Sequence, residues 1–143
     1  MSYWLFKSEP GTWSWEDQIK KGEIGEGWDG VRNYQANNNM KKMKIGDYGF
    51  FYHSVKEKQI VGTVEVIGEH RPDPTDSSKR FGMVVIKAIE SVPKAVTLEE
   101  MKSNPKLSNL ALIRQSRLSV VPISNEHWDI ICNMANISAA KYK

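Results

Sequence analysis

Residues 48–69, YGFFYHSVKEKQIVGTVEVIGE, decide the fold, because their side chains are spaced as in β-strands. Two β-rich runs, Tyr48 to Ser54 and Ile60 to Glu69, flank the charged tetrapeptide VKEK. Alternation along the first run places Phe51 and His53 on the same face of a strand. The middle of the chain is therefore predicted to form a β-hairpin with a charged turn.

Shorter elements are predicted on both sides of this hairpin. Aromatic and β-branched runs predict strands at 3–7, 83–89 and 118–122. Apolar periodicity predicts a helix at 34–43, and the capping residue Ser14 predicts one at 14–21. Two more helices are predicted, one after a capping box at Thr97–Glu100 and one after the capping residue Ser124.

The order of these elements predicts an α+β fold. Strands at the front, middle and back of the chain favour a small curled or closed sheet, mostly antiparallel, with helices at its ends. Residues 71–80 contain two prolines, two aspartates, a threonine and two serines, so they are predicted to form an exposed loop. Residues 23–30 are glycine-rich and are predicted to form another loop.

Composition limits the function classes. The 143 residues fit one domain, 1–143, with a net charge of +3, far from that of a polybasic nucleic-acid binder. One cysteine and three scattered histidines predict neither a disulfide framework nor a metal site. No apolar run is long enough to span a membrane, and no glycine-rich phosphate loop is present. We therefore expect a monomeric cytoplasmic protein without cofactors.

The stretch 28–36, WDGVRNYQA, contains the strongest candidate site. On the predicted helix, Tyr34 lies about 160° from the face that contains Ala36, so it points to solvent or a pocket. Arg32 and Asn33 flank the helix N-terminus, where free N–H groups favour a phosphate. In the alternative interpretation, Tyr34 packs against a loop and Arg32 pairs with Asp29.

Other residues have two interpretations each. Trp4 is predicted to be in the core, whereas Trp28, in a loop, either walls a pocket for a planar ring or packs into the core. His53 is either a donor in a pocket or a satisfied histidine at its rim. The segment Lys7–Pro10, which ends the first strand, offers binding groups or is an ordinary polar turn. Cys132, near the apolar face of the last helix, is predicted to be an inert core thiol.

Several motifs resemble the EVE domain family. They are YWLFKSEP at 3–10, WSWED at 13–17, WDGVRNYQA at 28–36, GD at 46–47, FYHS at 51–54, IVG at 60–62, PDPT at 72–75 and RLSV at 117–120. They span nearly the whole chain. The run Asn37–Asn39 departs from the pattern, since a basic residue commonly follows the alanine in the family. The resemblance implies a PUA-like fold, a small bent β-barrel of about five to six mostly antiparallel strands, related to YTH and ASCH domains.

The resemblance also implies a binding role, in which a pocket accepts a flipped, modified base of DNA or RNA. Carried over by motif, the pocket residues are Ser8, Trp28, Asn33, Tyr34, Phe51 and His53, and the contacts to phosphates or base edges are Lys7, Arg32 and Arg117. Two alternatives remain: an ASCH-like amidohydrolase that acts on modified nucleosides with Lys7, Glu9 and His53, or a general RNA-binding accessory domain. A non-enzymatic module is expected, because no activated nucleophile is visible.

Overall fold

The computed structural model describes residues 2–143, which contain six strands and five α-helices. The strands are β1 (Tyr3–Ser8), β2 (Glu26–Gly27), β3 (Tyr48–His53), β4 (Gln59–Pro72), β5 (Gly82–Thr97) and β6 (Val120–Ile123). The helices are α1 (Trp15–Lys20), α2 (Tyr34–Lys41), α3 (Leu98–Lys102), α4 (Ala111–Arg114) and α5 (Asn125–Met134). No helix of this part of the chain is long and apolar enough to cross a membrane.

One six-stranded sheet, in the order β2-β5-β4-β3-β1-β6, forms the body of the protein. Neighbouring strands are antiparallel except for β1 and β3, which run parallel. Parallel neighbours need a long crossover connection, and here the chain passes through α1, β2 and α2 between them. The predicted α+β fold of mostly antiparallel strands is confirmed.

The hairpin of β4 and β5 bends the sheet. Its pairing shifts register at four places, and each such irregularity adds twist and curvature. The sheet is open, because its two edge strands, β2 and β6, form no hydrogen-bonded ladder with each other in residues 2–143. Instead of a barrel closed by hydrogen bonds, the chain therefore forms a bent, open sheet.

Aromatic side chains fill the core on both faces of the sheet. On one face, Trp128 of α5 stacks on Phe50 of β3, with ring centroids 4.0 Å apart. On the other, Phe51 contacts Trp15 and Trp28, at 5.1 and 5.7 Å. Residues 50 and 51 thus face opposite layers, as alternation along a strand requires. The candidate site lies on the face that contains Phe51.

The predicted helix caps are confirmed. Ser14 accepts a hydrogen bond from the Asp17 N–H and Ser124 accepts one from the His127 N–H, while Thr97 and Glu100 form the predicted capping box. These caps satisfy N–H groups that the first turn of a helix leaves unpaired. They depend on neighbours in sequence, which explains why the sequence indicates them.

Two predicted loops need correction. Residues 71–80 are not simply exposed, because β4 continues through Pro72 and the side chains of Asp73 and Asp76 are buried. Residues 23–30 contain β2, whose two residues pair with β5. The strand predicted at 83–89 extends over the whole of β5. Trp4 is buried in β1, as predicted, and its Nε1 donates to the carboxylate of Asp47 at 3.1 Å.

Candidate functional site

A cavity of about 470 Å³ opens between the end of β1 and the segment 26–32. Its lining combines aromatic, apolar, cationic and acidic side chains with a loop backbone. The lining residues are Lys7, Ser8, Glu9, Thr12, Trp13, Glu26, Gly27, Trp28, Asp29, Gly30, Val31, Arg32 and Ser119. This volume falls in the range of roughly 300–1,000 Å³ typical of small-molecule sites.

Trp28 forms one wall of the cavity and also packs into the core. Its ring lies edge-on to Phe6 and Phe51, at 5.4 and 5.7 Å between centroids, and 9% of the residue is exposed. The backbone N–H of Trp28 donates to the Val84 carbonyl at 2.7 Å, and this hydrogen bond extends the pairing of β2 with β5. Both interpretations of Trp28 therefore apply, because its ring lines the cavity and also packs into the core.

Trp13 is a second aromatic residue of the lining, and sequence reasoning did not assign it to the site. Its indole Nε1 donates to Gln18 Oε1 at 3.0 Å, and its carbonyl accepts from the hydroxyl of Ser8. Ser8, a predicted pocket residue, thus lines the cavity and fixes the backbone of Trp13. The position of Trp13 in the sequence could have indicated this role. Trp13 precedes Ser14, the N-cap of α1, so it lies outside the helix that would bury it.

The carboxylate of Asp73 braces the cavity loop. It accepts from the N–H of Gly30 at 2.8 Å, from Arg32 Nη1 at 3.0 Å, and from both the N–H and hydroxyl of Thr75 at 2.7 Å. Burial alone would raise the pKa of Asp73, but the hydrogen bonds from Thr75, Gly30 and Arg32 outweigh burial and lower it to about 2. Gly30 adopts φ +79°, a conformation that suits glycine, to present its N–H.

Arg32 lines the cavity but is engaged in this brace. Besides Asp73, its guanidinium donates to the Val31 carbonyl and to the Thr75 hydroxyl, each at 3.0 Å. The alternative pairing with Asp29 is wrong, since Asp73 is the partner. The buried carboxylate balances the positive charge of Arg32.

Lys7 and Asp29 are two further charged residues of the cavity lining. Lys7 Nζ donates to the Ser116 carbonyl at 2.9 Å, and burial lowers the pKa of Lys7. Burial raises the pKa of Asp29, and the nearby carboxylates of Asp73 and Glu26 raise it further. The lining therefore presents both hydrogen-bond donors and acceptors to a ligand of mixed polarity.

Phe51 and His53 lie behind the cavity and are not among its lining residues. Phe51 is fully buried and supports the ring of Trp28. His53 Nε2 accepts from the N–H of Trp15 at 3.0 Å, so its proton is on Nδ1, 2.9 Å from Glu57 Oε1. The pKa of Glu57 is lowered, chiefly by this hydrogen bond. Both ring nitrogens of His53 are therefore hydrogen-bonded within the protein, which agrees with the interpretation of His53 as a satisfied histidine rather than a donor in the pocket.

Asn33, Tyr34 and Arg117 also lie outside the cavity lining. Asn33 is the N-cap of α2 and accepts from the Ala36 N–H at 2.9 Å. Tyr34 is 57% exposed, opposite the buried face of α2 as predicted, and its ring also packs on Phe81 at 4.9 Å. Arg117 is exposed beside a second hollow, which Asn33 also lines.

Comparisons with known proteins place this geometry in a family. The EVE domain family model matches residues 2–134. Thymocyte nuclear protein 1 from Homo sapiens is 32% identical over an alignment that covers 93% of this chain and 73% of that protein. A protein from Agrobacterium tumefaciens of known crystal structure is 48% identical, with a TM-score of 0.94, and the match covers 96% and 94% of the two chains.

Two complexes are also similar in structure. The human THYN1 protein, crystallised with DNA that contains 5-methylcytosine, is 30% identical with a TM-score of 0.87, covering 96% of this chain and 99% of that one. A YTH domain from Zygosaccharomyces rouxii shares the fold, at a TM-score of 0.57 and 16% identity over 96% of this chain and 88% of that one. The motifs, the fold and these matches agree: the chain belongs to the EVE domain family.

Proposed function

We propose that this EVE domain binds DNA by accepting one methylated base, of the 5-methylcytosine type, in the cavity beside Trp28, and that it does so without catalysis. The observation that carries the proposal is a cavity with tryptophans, donors and acceptors in its lining, in a chain similar to a human protein crystallised with 5-methylcytosine DNA. Removing a base from its stack costs a few kcal/mol, and stacking on an aromatic side chain returns roughly 1–3 kcal/mol.

The polar lining suits the edge of a cytosine. The exocyclic amino group of cytosine donates hydrogen bonds that aspartate and glutamate accept. Glu26 and Asp29 offer such acceptors, and Asp29 is exposed, so its carboxylate is accessible to a base in the cavity. Lys7 supplies a donor for the cytosine carbonyl.

Recognition of the methyl group rests on apolar contact. Val31 and the indole of Trp28 supply apolar surface in the lining. A methyl group buried there contributes about 0.8 kcal/mol, which corresponds to about a fourfold difference in Kd. We therefore expect a modest preference for methylated over unmethylated cytosine.

Fluorescence titration with single-stranded DNA oligonucleotides tests the proposal. Because Trp13 and Trp28 line the cavity, binding of a 5-methylcytosine oligonucleotide should change the tryptophan emission saturably. Trp13→Ala should weaken binding by at least about fivefold, since it removes a stacking surface worth roughly 1–3 kcal/mol. Tyr34→Ala, which removes an exposed aromatic outside the cavity, is the control. Unchanged affinity in Trp13→Ala would show that the cavity is not the base site.

The amidohydrolase alternative has one observation in its favour. Lys7 and Glu9 line the same cavity, and burial lowers the pKa of Lys7, as a general base requires. His53, the third residue of that alternative, lies behind the cavity with both ring nitrogens engaged. Incubation with modified nucleosides separates the functions: turnover that Lys7→Ala abolishes supports the enzyme, and saturable binding without turnover supports the binding module. RNA oligonucleotides of the same sequence test for a general RNA-binding domain.

A further inference from the structure

A second hollow, of about 310 Å³, lies beside the cavity. We propose, on the basis of the proposed function, that it holds the nucleotide next to the bound base and favours a purine there. Its lining is polar and cationic, with one apolar side chain. The residues are Asn33, Gln35, Arg114, Gln115, Ser116, Arg117 and Leu118.

The hollow and the cavity share a rim. Lys7 Nζ donates to the Ser116 carbonyl at 2.9 Å, and the Lys7 N–H donates to the Ser119 carbonyl at 3.0 Å. Ser116 lines the hollow, whereas Lys7 and Ser119 line the cavity. The chain crosses the rim again where Arg32, in the cavity lining, precedes Asn33, in the hollow lining. A nucleic-acid strand that leaves the cavity over this rim therefore passes into the hollow.

The charge of the hollow differs from that of the cavity. Among the described residues, three carboxylates line the cavity, from Glu9, Glu26 and Asp29, whereas none lines the hollow. Two guanidinium groups are in the hollow lining instead, from Arg114 and Arg117. This excess of positive charge suits the phosphate that joins the two nucleotides.

The hydrogen-bonding groups of the hollow suit a purine. Gln35, Gln115 and Arg117 are exposed, and Arg114 is held by a bond of 2.9 Å from its Nε to the Ser108 carbonyl, which leaves its terminal nitrogens for a ligand. Arginine pairs with the O6 and N7 atoms of guanine, and glutamine pairs with the N6 and N7 atoms of adenine. A pyrimidine has no N7, so it lacks the edge that these two pairings use.

Single-stranded DNA oligonucleotides with one 5-methylcytosine, flanked on each side by a purine or a pyrimidine, test the inference. With the wild-type protein, a purine on one side should lower Kd about fivefold or more. Gln115→Ala should reduce this preference. Arg117→Ala should weaken binding to every oligonucleotide and reduce the slope of log K against log salt by about 0.7. Lys102→Ala removes an exposed cation that lines neither site, so the purine preference should remain.

Binding of free 5-methyldeoxycytidine separates the two proposals. The nucleoside lacks the phosphate and the neighbouring base, so Gln115→Ala and Arg117→Ala should bind it as the wild type does. If the wild type binds oligonucleotides equally well with either neighbour, or if both variants match it, the hollow is not a nucleotide site and the cavity proposal stands. If the wild type binds neither nucleoside nor oligonucleotide, both proposals are wrong.

Discussion

Replacing Asp73 with asparagine tests whether a buried carboxylate outside the cavity fixes the cavity wall. Asparagine keeps the shape of the side chain but replaces one acceptor oxygen with a donor NH₂ group. That group must face either the hydroxyl and N–H of Thr75 or the N–H groups of Gly30 and Arg32, all of which donate to the carboxylate. The substitution also removes the negative charge that balances Arg32.

The expected loss of stability is worked from the pKa of Asp73. Its hydrogen bonds lower the pKa from 3.8 to about 2, and each pKa unit corresponds to about 1.4 kcal/mol, so ionisation adds roughly 2 kcal/mol to the folding free energy. Breaking a buried ion pair costs about 3–5 kcal/mol, but the Arg32 side chain is 40% exposed and stays partly hydrated. We therefore expect Asp73→Asn to lose about 2–3 kcal/mol at pH 7.

Urea denaturation as a function of pH checks this value. Because the pKa of Asp73 is lower in the folded protein than in the unfolded chain, its stabilisation is complete above about pH 4 and is lost as the pH falls through about 2. The difference between wild type and Asp73→Asn should therefore shrink over that interval. A difference below about 0.5 kcal/mol at pH 7, the size of an ordinary surface substitution, would refute the reasoning. So would a difference that is the same at both ends of the interval.

Asp76→Asn is the matched control for the effect on binding. The carboxylate of Asp76 accepts hydrogen bonds from Ser78, Arg80 and Phe81, all within its own loop. Both variants should lose stability. Asp73→Asn should also weaken binding of 5-methyldeoxycytidine, because segment 29–32 of the cavity wall loses its brace, whereas Asp76→Asn should not.

Three further predictions concern the core. Trp28→Ala should abolish base binding and also lose about 3–5 kcal/mol in urea denaturation, since its ring packs on the core; a normal melting temperature would contradict the packing. Gly62→Ala should cost at least about 1–3 kcal/mol, because a Cβ there lies 2.2 Å from the Trp15 ring, and wild-type stability would refute this contact. Burial raises the pKa of Cys132 to about 12, so an aromatic disulfide reagent should label it at pH 8 only after unfolding; rapid labelling of folded protein would show that the thiol is accessible.

Features that depend on neighbouring residues could be predicted from the sequence. The caps at Ser14 and Ser124 and the capping box at Thr97–Glu100 each involve residues three positions apart, within one helical turn. The burial of Ala36 and Met40 in α2 follows from the 3.6-residue period in the same way. These elements are present because tertiary packing adds to their local preferences rather than opposing them.

Features that join distant residues could not be predicted in this way. The parallel pairing of β1 with β3 joins strands about 40 residues apart, and composition carries no record of that register. The polar composition of residues 71–80 predicted exposure, yet the carboxylate of Asp73 is buried because Gly30 and Arg32 supply its donors from another loop. Polar residues are buried where partners satisfy them, and those partners are known only from the fold.

The structure distinguishes two arginines that the sequence assigns to the same class of contact. Arg32 and Arg117 were both predicted to contact phosphates or base edges. The charge of Arg32 is balanced by buried Asp73, whereas Arg117 lies exposed in a hollow without carboxylates. Neutralising a phosphate requires positive charge that is not already balanced, so Arg117 should contribute to the salt dependence of binding and Arg32 should contribute little. If Arg114, the other guanidinium of the hollow, supplies the second contact, the slope on single-stranded DNA is about −1.4, because each contact adds about −0.7. A cation count taken from the sequence overestimates this slope, because it cannot show that Asp73 lies against Arg32.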